Sequence, residues 1–342
     1  MSDFTLALAV LGALLLAGLM VWNNWSSRRN TPRQPVQMAP HVEPVMMGQE
    51  LPDDPAFDSE PAPLPVPERK PGLDALIDVI APIALEGPAS GDAALAALPP
   101  TRRVGSKPFA IEGLNELTQH WETPHPGHRY GAFQAGVQLA NRTGPLNEIE
   151  YSEFVHKVQG FADAVNGAPE FPEMRDEVGR ARELDAFASG HDAQLSFTLR
   201  ARNAAWSPGY VQQSASRLGF VPGAIPGRMV LPASQPGSPP VLGLSFDSQS
   251  AMAEDPALSA IREVTLSVDV PQVHRGEQPF VRMRACAHEL AGSMDGWISD
   301  DKGQPIPPDA LDVIGADLET LYDTLDARDL AAGSPQARRL FS

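Results

Sequence analysis

Several stretches of the chain alternate apolar and polar residues with a period of two, the pattern of a half-buried strand. Residues 194–200 place Leu195, Phe197 and Leu199 on one side and Gln194, Ser196, Thr198 and Arg200 on the other. Residues 264–270 place Val264, Leu266, Val268 and Val270 against Thr265, Ser267 and Asp269, and stop at Pro271. Residues 130–140 set Phe133, Ala135, Val137 and Leu139 against Gln134 and Gln138. Shorter apolar runs predict strands at 76–85 (bounded by Pro82 and Gly87), 108–113, 228–231, 241–246 and 297–299. Between them the period changes to that of a helix. Phe154, Val158, Phe161, Ala162 and Val165 form one stripe with Gly167 as its stop, and Met174, Val178, Ala181 and Leu184 form another after Pro172. Ser207-Pro208 reads as an N-cap followed by proline at the first helical position, with Gly219 closing that helix. Phe280, Met283, Ala287, Leu290, Ala291 and Met294 make a stripe ended by Gly296, and Pro308 starts a helix with Leu311, Ile314, Leu318, Leu321 and Leu325 on its apolar side.

These elements predict an α+β fold. In the C-terminal half an antiparallel sheet of about five strands carries helices from Ser207, Phe280 and Pro308 on its apolar face, a split β-α-β layer arrangement. The run FVHKVQGFADAVNG, followed by a proline-started helix, echoes FVRMRACAHELAGSMDG further along. That echo is the pattern of an internal duplication, with residues 73–190 as a diverged first copy of the unit at 191–342.

Residues 4–22 contain no charge, and nineteen residues at about 1.5 Å each span about 28 Å, enough for a bilayer core. Arg28, Arg29 and Arg33 follow, against only Asp3 in the tail at 1–3. The positive-inside rule therefore predicts a single-pass inner-membrane helix with a periplasmic N-terminus and the bulk of the chain in the cytoplasm. Neither a basic residue before the run nor a small-x-small site after it supports a cleaved signal peptide. Much of the chain's unusual total of 35 prolines falls in the acidic stretch at 23–72, a composition that cannot offset its ordering entropy and reads as a linker.

The net charge of −17 argues against a nucleic-acid partner, since phosphate contacts need clustered Lys and Arg. One cysteine, Cys286, beside the apolar stripe of a helix, reads as a half-buried inert thiol and excludes an internal disulfide. His120, Glu122, His125 and His128 crowd into HWETPHPGH, but Pro124, Pro126 and Gly127 deny them helical metal-ligand spacing, and a solvated loop is expected. Gly105-Ser106-Lys107 lacks the upstream glycine of a phosphate-binding loop, and Asp300-Asp301 are adjacent in a turn where they cannot face each other. No catalytic motif emerges; no cofactor or metal is expected, and a non-enzymatic role follows.

Val264-Thr265-Leu266, Val270-Pro271, Phe280, Gly296, Asp300-Asp301 and Pro308 occur in an order and spacing that resemble the C-terminal domain of the ZipA family of bacterial division proteins. The resemblance covers about residues 194–328. It implies that the open sheet face binds the C-terminal tail of the tubulin-like protein FtsZ as a helix in a shallow groove, so that the chain anchors the division ring to the membrane. Carried over strand by strand, that face is Gln194, Ser196, Thr198, Ile225, Gly243, Ser245, Asp247, Thr265, Ser267 and Asp269, of which only Ile225 is a large hydrophobe. Asp247 and Asp269 are then expected to bring negative charge to the face. Two other readings stay open at this point: an adaptor of the same fold for a different cytoplasmic protein, and a membrane-tethered enzyme of another type.

Overall fold

The computed structural model describes residues 32–35, 72–253, 259–300 and 302–342. The expected membrane span at 4–22, the tail at 1–3, most of the linker and Asp301 lie outside them. Among the described residues no helix is long and apolar enough to cross a membrane. The fold is α+β with antiparallel sheets, in two compact units. The N-unit holds described residues of 69–194, 269–276 and 316–342, and the C-unit those of 1–68, 195–268 and 277–315. The chain passes from the N-unit to the C-unit at 194/195, near the boundary expected at 190/191, but 269–276 and 316–342 group with the N-unit rather than with a 191–342 domain. The reason lies in the C-terminal segment. Leu340 and Phe341 are buried, Arg339 pairs with the fully buried Asp78, and Gln138 Nε2 donates to the Arg339 carbonyl at 2.8 Å.

The N-unit is built from β1 (Asp78–Ser90), α1 (Gly91–Ala97), β2 (Arg103–Val104), β3 (Lys107–Asn115), β4 (Trp121–Glu122), β5 (Arg129–Gln138), β6 (Ala140–Asn141), β7 (Gly144–Pro145), α2 (Glu148–Ala164), β8 (Gly167–Pro169) and α3 (Met174–His191). Its main sheet has the order β2-β3-β5-β1-β8, with β4 added beside β3. Val79, Ala81 and Ile83 of β1, Phe109 and Ile111 of β3, and Phe133, Ala135 and Val137 of β5 meet Phe154, Val158, Phe161 and Ala162 of α2 in one core. Phe133, Ala135, Val137 and Leu139 thus face this core as their alternation predicts, while Gln138 on the other side is buried as well, its Nε2 bonded to the Arg339 carbonyl.

The first strand runs further than its punctuation suggests. Pro82 stays within β1 because it needs no donor there, while its carbonyl accepts from the Glu170 amide at 2.9 Å. Gly87 falls where the β1–β5 register shifts, between Ala84 and Ala89, so it marks a bulge instead of an end.

The C-unit contains β9 (Gln194–Ala201), α4 (Pro208–Ser216), β10 (Val221–Pro222), β11 (Arg228–Leu231), β12 (Leu242–Ser245), the single turn α5 (Ser248–Ala251), β13 (Glu263–Asp269), α6 (Pro279–Ser293) and β14 (Gly296–Ser299). Helix α7 (Pro308–Asp326) starts in this unit. The chain ends with α8 (Pro335–Leu340), which the sequence pattern did not reveal. The sheet order is β10-β11-β12-β13-β9-β14, six strands where five were expected. Ser207 caps α4 as its sequence predicts, its Oγ accepting from the Tyr210 amide at 3.2 Å. Phe197, Leu199, Leu244, Leu266 and Val268 are buried on one face, with Phe197 edge-on to Phe280 of α6. Within this unit α7 packs at α6, where Gly315 lies beside the Phe280 ring and Asp312 accepts from Arg284 at 2.5 Å.

Both helix stops expected at glycine are made one residue earlier. After α2, Asn166 takes the left-handed conformation (φ 53°) and Gly167 opens β8; after α6, Asp295 does so (φ 55°) and Gly296 opens β14. Asn and Asp tolerate this region because their short polar side chains bond locally. Each glycine is instead required by packing against the neighbouring strand. A Cβ on Gly167 would come within 2.7 Å of Ile83 Cγ2, and one on Gly296 within 3.1 Å of the Arg200 carbonyl oxygen.

Candidate functional site

The face of the C-unit sheet opposite its core is where the sequence placed a binding surface. Pairing across the sheet sets two rows there. Val221, Val230, Gly243 and Ser267 form one; Arg228, Ser245 and Thr265 form the next. On the far side Thr198 pairs with Ser299 and Arg200 with Trp297. Ser196, Thr198, Ser245, Thr265 and Ser267 are all half-buried, as residues on an uncrowded sheet face should be. Gly243 leaves a dip between Val230 and Ser267, because a Cβ there would approach Ser267 Oγ at 2.9 Å. The hydroxyl of Ser267 donates to the Gly243 carbonyl at 3.4 Å.

One edge of this face is apolar. Val221 is 43% exposed with its strand partner Val230 half-buried beside it, and Ile225 is 52% exposed. Ile225 lies in the turn between β10 and β11 and not on a strand, its carbonyl accepting from the Arg228 amide at 3.1 Å. Val221, Val230 and Trp297 were not among the residues carried over from the family. Val230 was detectable: with Met229 and Leu231 inward, alternation puts Arg228 and Val230 outward. Val221 was not, because a two-residue strand has no period to read. The opposite edge carries half-buried Trp297 beside a polar cluster, where Arg200 bonds Glu263 and its Nε donates to Ser299 Oγ at 3.1 Å.

The two expected free carboxylates are not free. Asp247 caps α5: the Ser250 hydroxyl donates to it at 2.8 Å, as do the Gln249 and Ser250 amides at 3.1 and 3.2 Å. The Ser250 hydroxyl bond, with the backbone donors, holds its carboxyl below the usual range. Asp269 is ion-paired with Arg142 at 2.8 Å. Arg142 also bonds both oxygens of Asp192, at 2.8 and 2.6 Å. Gln194, with its amide oxygen toward the guanidinium, accepts from Arg142 at 2.9 Å. Gln194 and Asp269 therefore belong to a charge cluster of the N-unit, whereas Asp247 stays exposed beyond the end of β12.

The histidine-rich stretch is mostly exposed loop, as its sequence predicts, but it is tied down at Glu122. Glu122 gathers three donors, Asn115 Nδ2 at 2.8 Å, the Tyr130 hydroxyl at 3.0 Å and His128 Nδ1 at 2.6 Å. Burial pushes its carboxyl up, but the bonds from Asn115, His128 and Tyr130 outweigh that and hold it below the ordinary value. Tyr130 accepts in turn from the His125 amide at 2.8 Å. This network locks β4 and its loop onto β3 and β5. No group of residues able to hold a metal ion occurs among the described residues. Burial pushes the Cys286 thiol up, which keeps it protonated and a poor nucleophile. Compared with known proteins, the chain matches no family model and no curated sequence.

Proposed function

We propose that the chain is a ZipA-like, non-enzymatic anchor, held in the inner membrane by residues 4–22, whose C-unit binds the C-terminal tail of FtsZ. The observation that supports this most is the sheet face itself. It has a dip at Gly243, an apolar edge of Val221, Ile225 and Val230, and a half-buried band of Ser and Thr beyond it. A short amphipathic helix can lay its apolar side on that edge while its polar side meets the hydroxyl band. The strand-helix order of the C-unit is also the one the family resemblance leads one to expect.

The contact relies on few anchors. Fully burying a Val or Ile side chain contributes about 1.5–3 kcal/mol, and these are already partly covered. Titration of a labelled FtsZ tail peptide into the full chain in detergent should show saturable, weak binding. Val221→Asp with Ile225→Asp should weaken it at least tenfold, a change of about 1.4 kcal/mol. Asp247→Lys should alter it little, since that carboxylate is committed to a helix cap. Absence of saturable binding would remove the FtsZ assignment; binding indifferent to the Val221 and Ile225 changes would move the site elsewhere.

A further inference from the structure

Part of the Pro-rich stretch that follows the apolar N-terminal run falls among the described residues. Residues 32–35 are seated on the C-unit. The Arg33 amide donates to the Ala205 carbonyl at 2.7 Å, and the Ser207 amide donates to the Arg33 carbonyl at 3.0 Å. These two bonds make Arg33 a parallel bridge to Trp206, whose other edge bridges antiparallel to Ile261. The side chain adds specificity. Arg33 donates to Asp295 at 2.8 Å and to the Met294 carbonyl at 3.4 Å, where α6 ends. Pro32 is buried, and Pro35 approaches Gly209 in the first turn of α4. Trp206, wholly buried, fixes this corner by donating from Nε1 to the same Met294 carbonyl at 2.8 Å.

We infer that residues 32–35 form an intramolecular clasp on the C-unit, which gives the tether two lengths. This consequence rests on the anchor reading. With the clasp closed, nine residues, 23–31, lie between the end of the expected span and the seated segment, and they reach at most about 30 Å. With it open, the described residues of the N-unit begin at Gly72, and residues 23–71 reach at most about 170 Å. The clasp is built to be reversible. It has two main-chain hydrogen bonds, and its ion pair has both side chains about a third exposed (35% and 33%), so salt weakens it. The same Arg33 that reads as a topogenic charge in the sequence is thereby occupied by Asp295.

The Ser207 amide reports the clasp directly, since Arg33 is its acceptor. Hydrogen exchange on the full chain in detergent should show it protected at least tenfold over its unstructured rate, independently of protein concentration. Arg33→Pro removes the Arg33 donor and the guanidinium without touching the C-unit core, and should abolish that protection while the Leu266 amide stays protected. Asp295→Asn, which keeps a residue suited to positive φ, should leave partial protection that no longer falls with added salt. An unprotected Ser207 in the wild type overturns the clasp, and protection that grows with concentration overturns its intramolecular form. In liposomes, energy transfer from a fluorophore after Ser342 to acceptor lipids should fall in Arg33→Pro; unchanged transfer overturns the two-length tether. The exchange arm needs no membrane, so its failure is distinct from failure of the anchor.

Discussion

The N-unit and the C-unit are two solutions to one topology. Strands β3-β5-β1-β8 in the first occupy the places of β12-β13-β9-β14 in the second. A long helix precedes the last strand in each, α2 in one and α6 in the other, and another follows it. Even the exit from that helix is the same, a left-handed Asn or Asp and then a glycine pressed against the adjacent strand. What differs is the face away from the core. In the N-unit the chain covers part of its own face: Leu73 lies over Gly136, and its amide donates to Glu112 at 3.1 Å. Gln134 donates to the other oxygen of Glu112 at 2.8 Å. In the C-unit the exposed Val221 and Ile225 edge the face instead. The sheet order follows from strand alternation and turn placement, whereas the use of the free face depends on single residues, such as whether a glycine makes room for the chain's own leucine. A shared order across such different sequences supports the proposal that the two units arose by duplication.

The harshest way to break this comparison is to remove the equivalent core residues. Leu266 in β13 and Phe133 in β5 are both fully buried. Leu266→Ala should cost about 2–5 kcal/mol and Phe133→Ala about 3–5 kcal/mol. Ser267→Ala, one residue along and on the opposite face, should stay within about 0.5 kcal/mol. Denaturant unfolding measures all three. If Ser267→Ala were as harmful as Leu266→Ala, the two faces of β13 would be interchanged.

The paired glycines come next. Gly167→Ala meets Ile83 Cγ2 at 2.7 Å and the Ala84 carbonyl oxygen at 3.2 Å, so β8 or β1 must shift, at about 1–3 kcal/mol. Gly296→Ala meets its nearest atoms, the Arg200 carbonyl oxygen and Trp206, at 3.1 and 3.2 Å, and should fall in the lower part of that range. Thermal melts that ranked the C-unit variant as the worse would show that the two glycines do different jobs.

Much of this was legible in the chain. The alternation in 130–140, 194–200 and 264–270 gave an inward set that is buried except for the half-buried Leu195, because a period of two over seven or more residues is difficult to satisfy by accident. Ser207-Pro208 located its helix to the residue. The failures have common physical causes. Glycine and proline mark turns only when nothing else uses them, so Pro82, Gly87, Gly167 and Gly296 misled: Pro82 sits where the ladder uses only its carbonyl, Gly87 at a bulge, and the other two at close strand approaches. Strand β10 was too short to show a period, and α8 carries too few apolar residues to show a stripe. The site suffered most. Asp247 and Asp269 were assigned to the face by register alone, while their partners, Ser250 through local turn geometry and Arg142 from 127 positions away, were invisible to register. Arg33 failed in the same way, its partner Asp295 being 262 positions distant.

The finest discrimination between the units lies in the two left-handed residues. Asn166 is exposed, and replacing it with glycine relieves a positive φ while adding freedom to the unfolded chain. These effects oppose each other, so Asn166→Gly should stay within about 0.5 kcal/mol of the wild type. Asp295→Gly relieves the same strain, but its carboxylate receives Arg33 at 2.8 Å and Asn203 Nδ2 at 3.1 Å. Partly exposed charged contacts of this kind are worth about 0.2–1 kcal/mol each, which places the net cost at about 0.5–1.5 kcal/mol. Raising the salt should narrow the gap between the two variants, because the Arg33 contribution is screened and the backbone contribution is not. A gap that did not respond to salt would locate the difference in the turn itself, and Asp295 would then be a helix stop like Asn166 with no separate hold on the N-terminal segment.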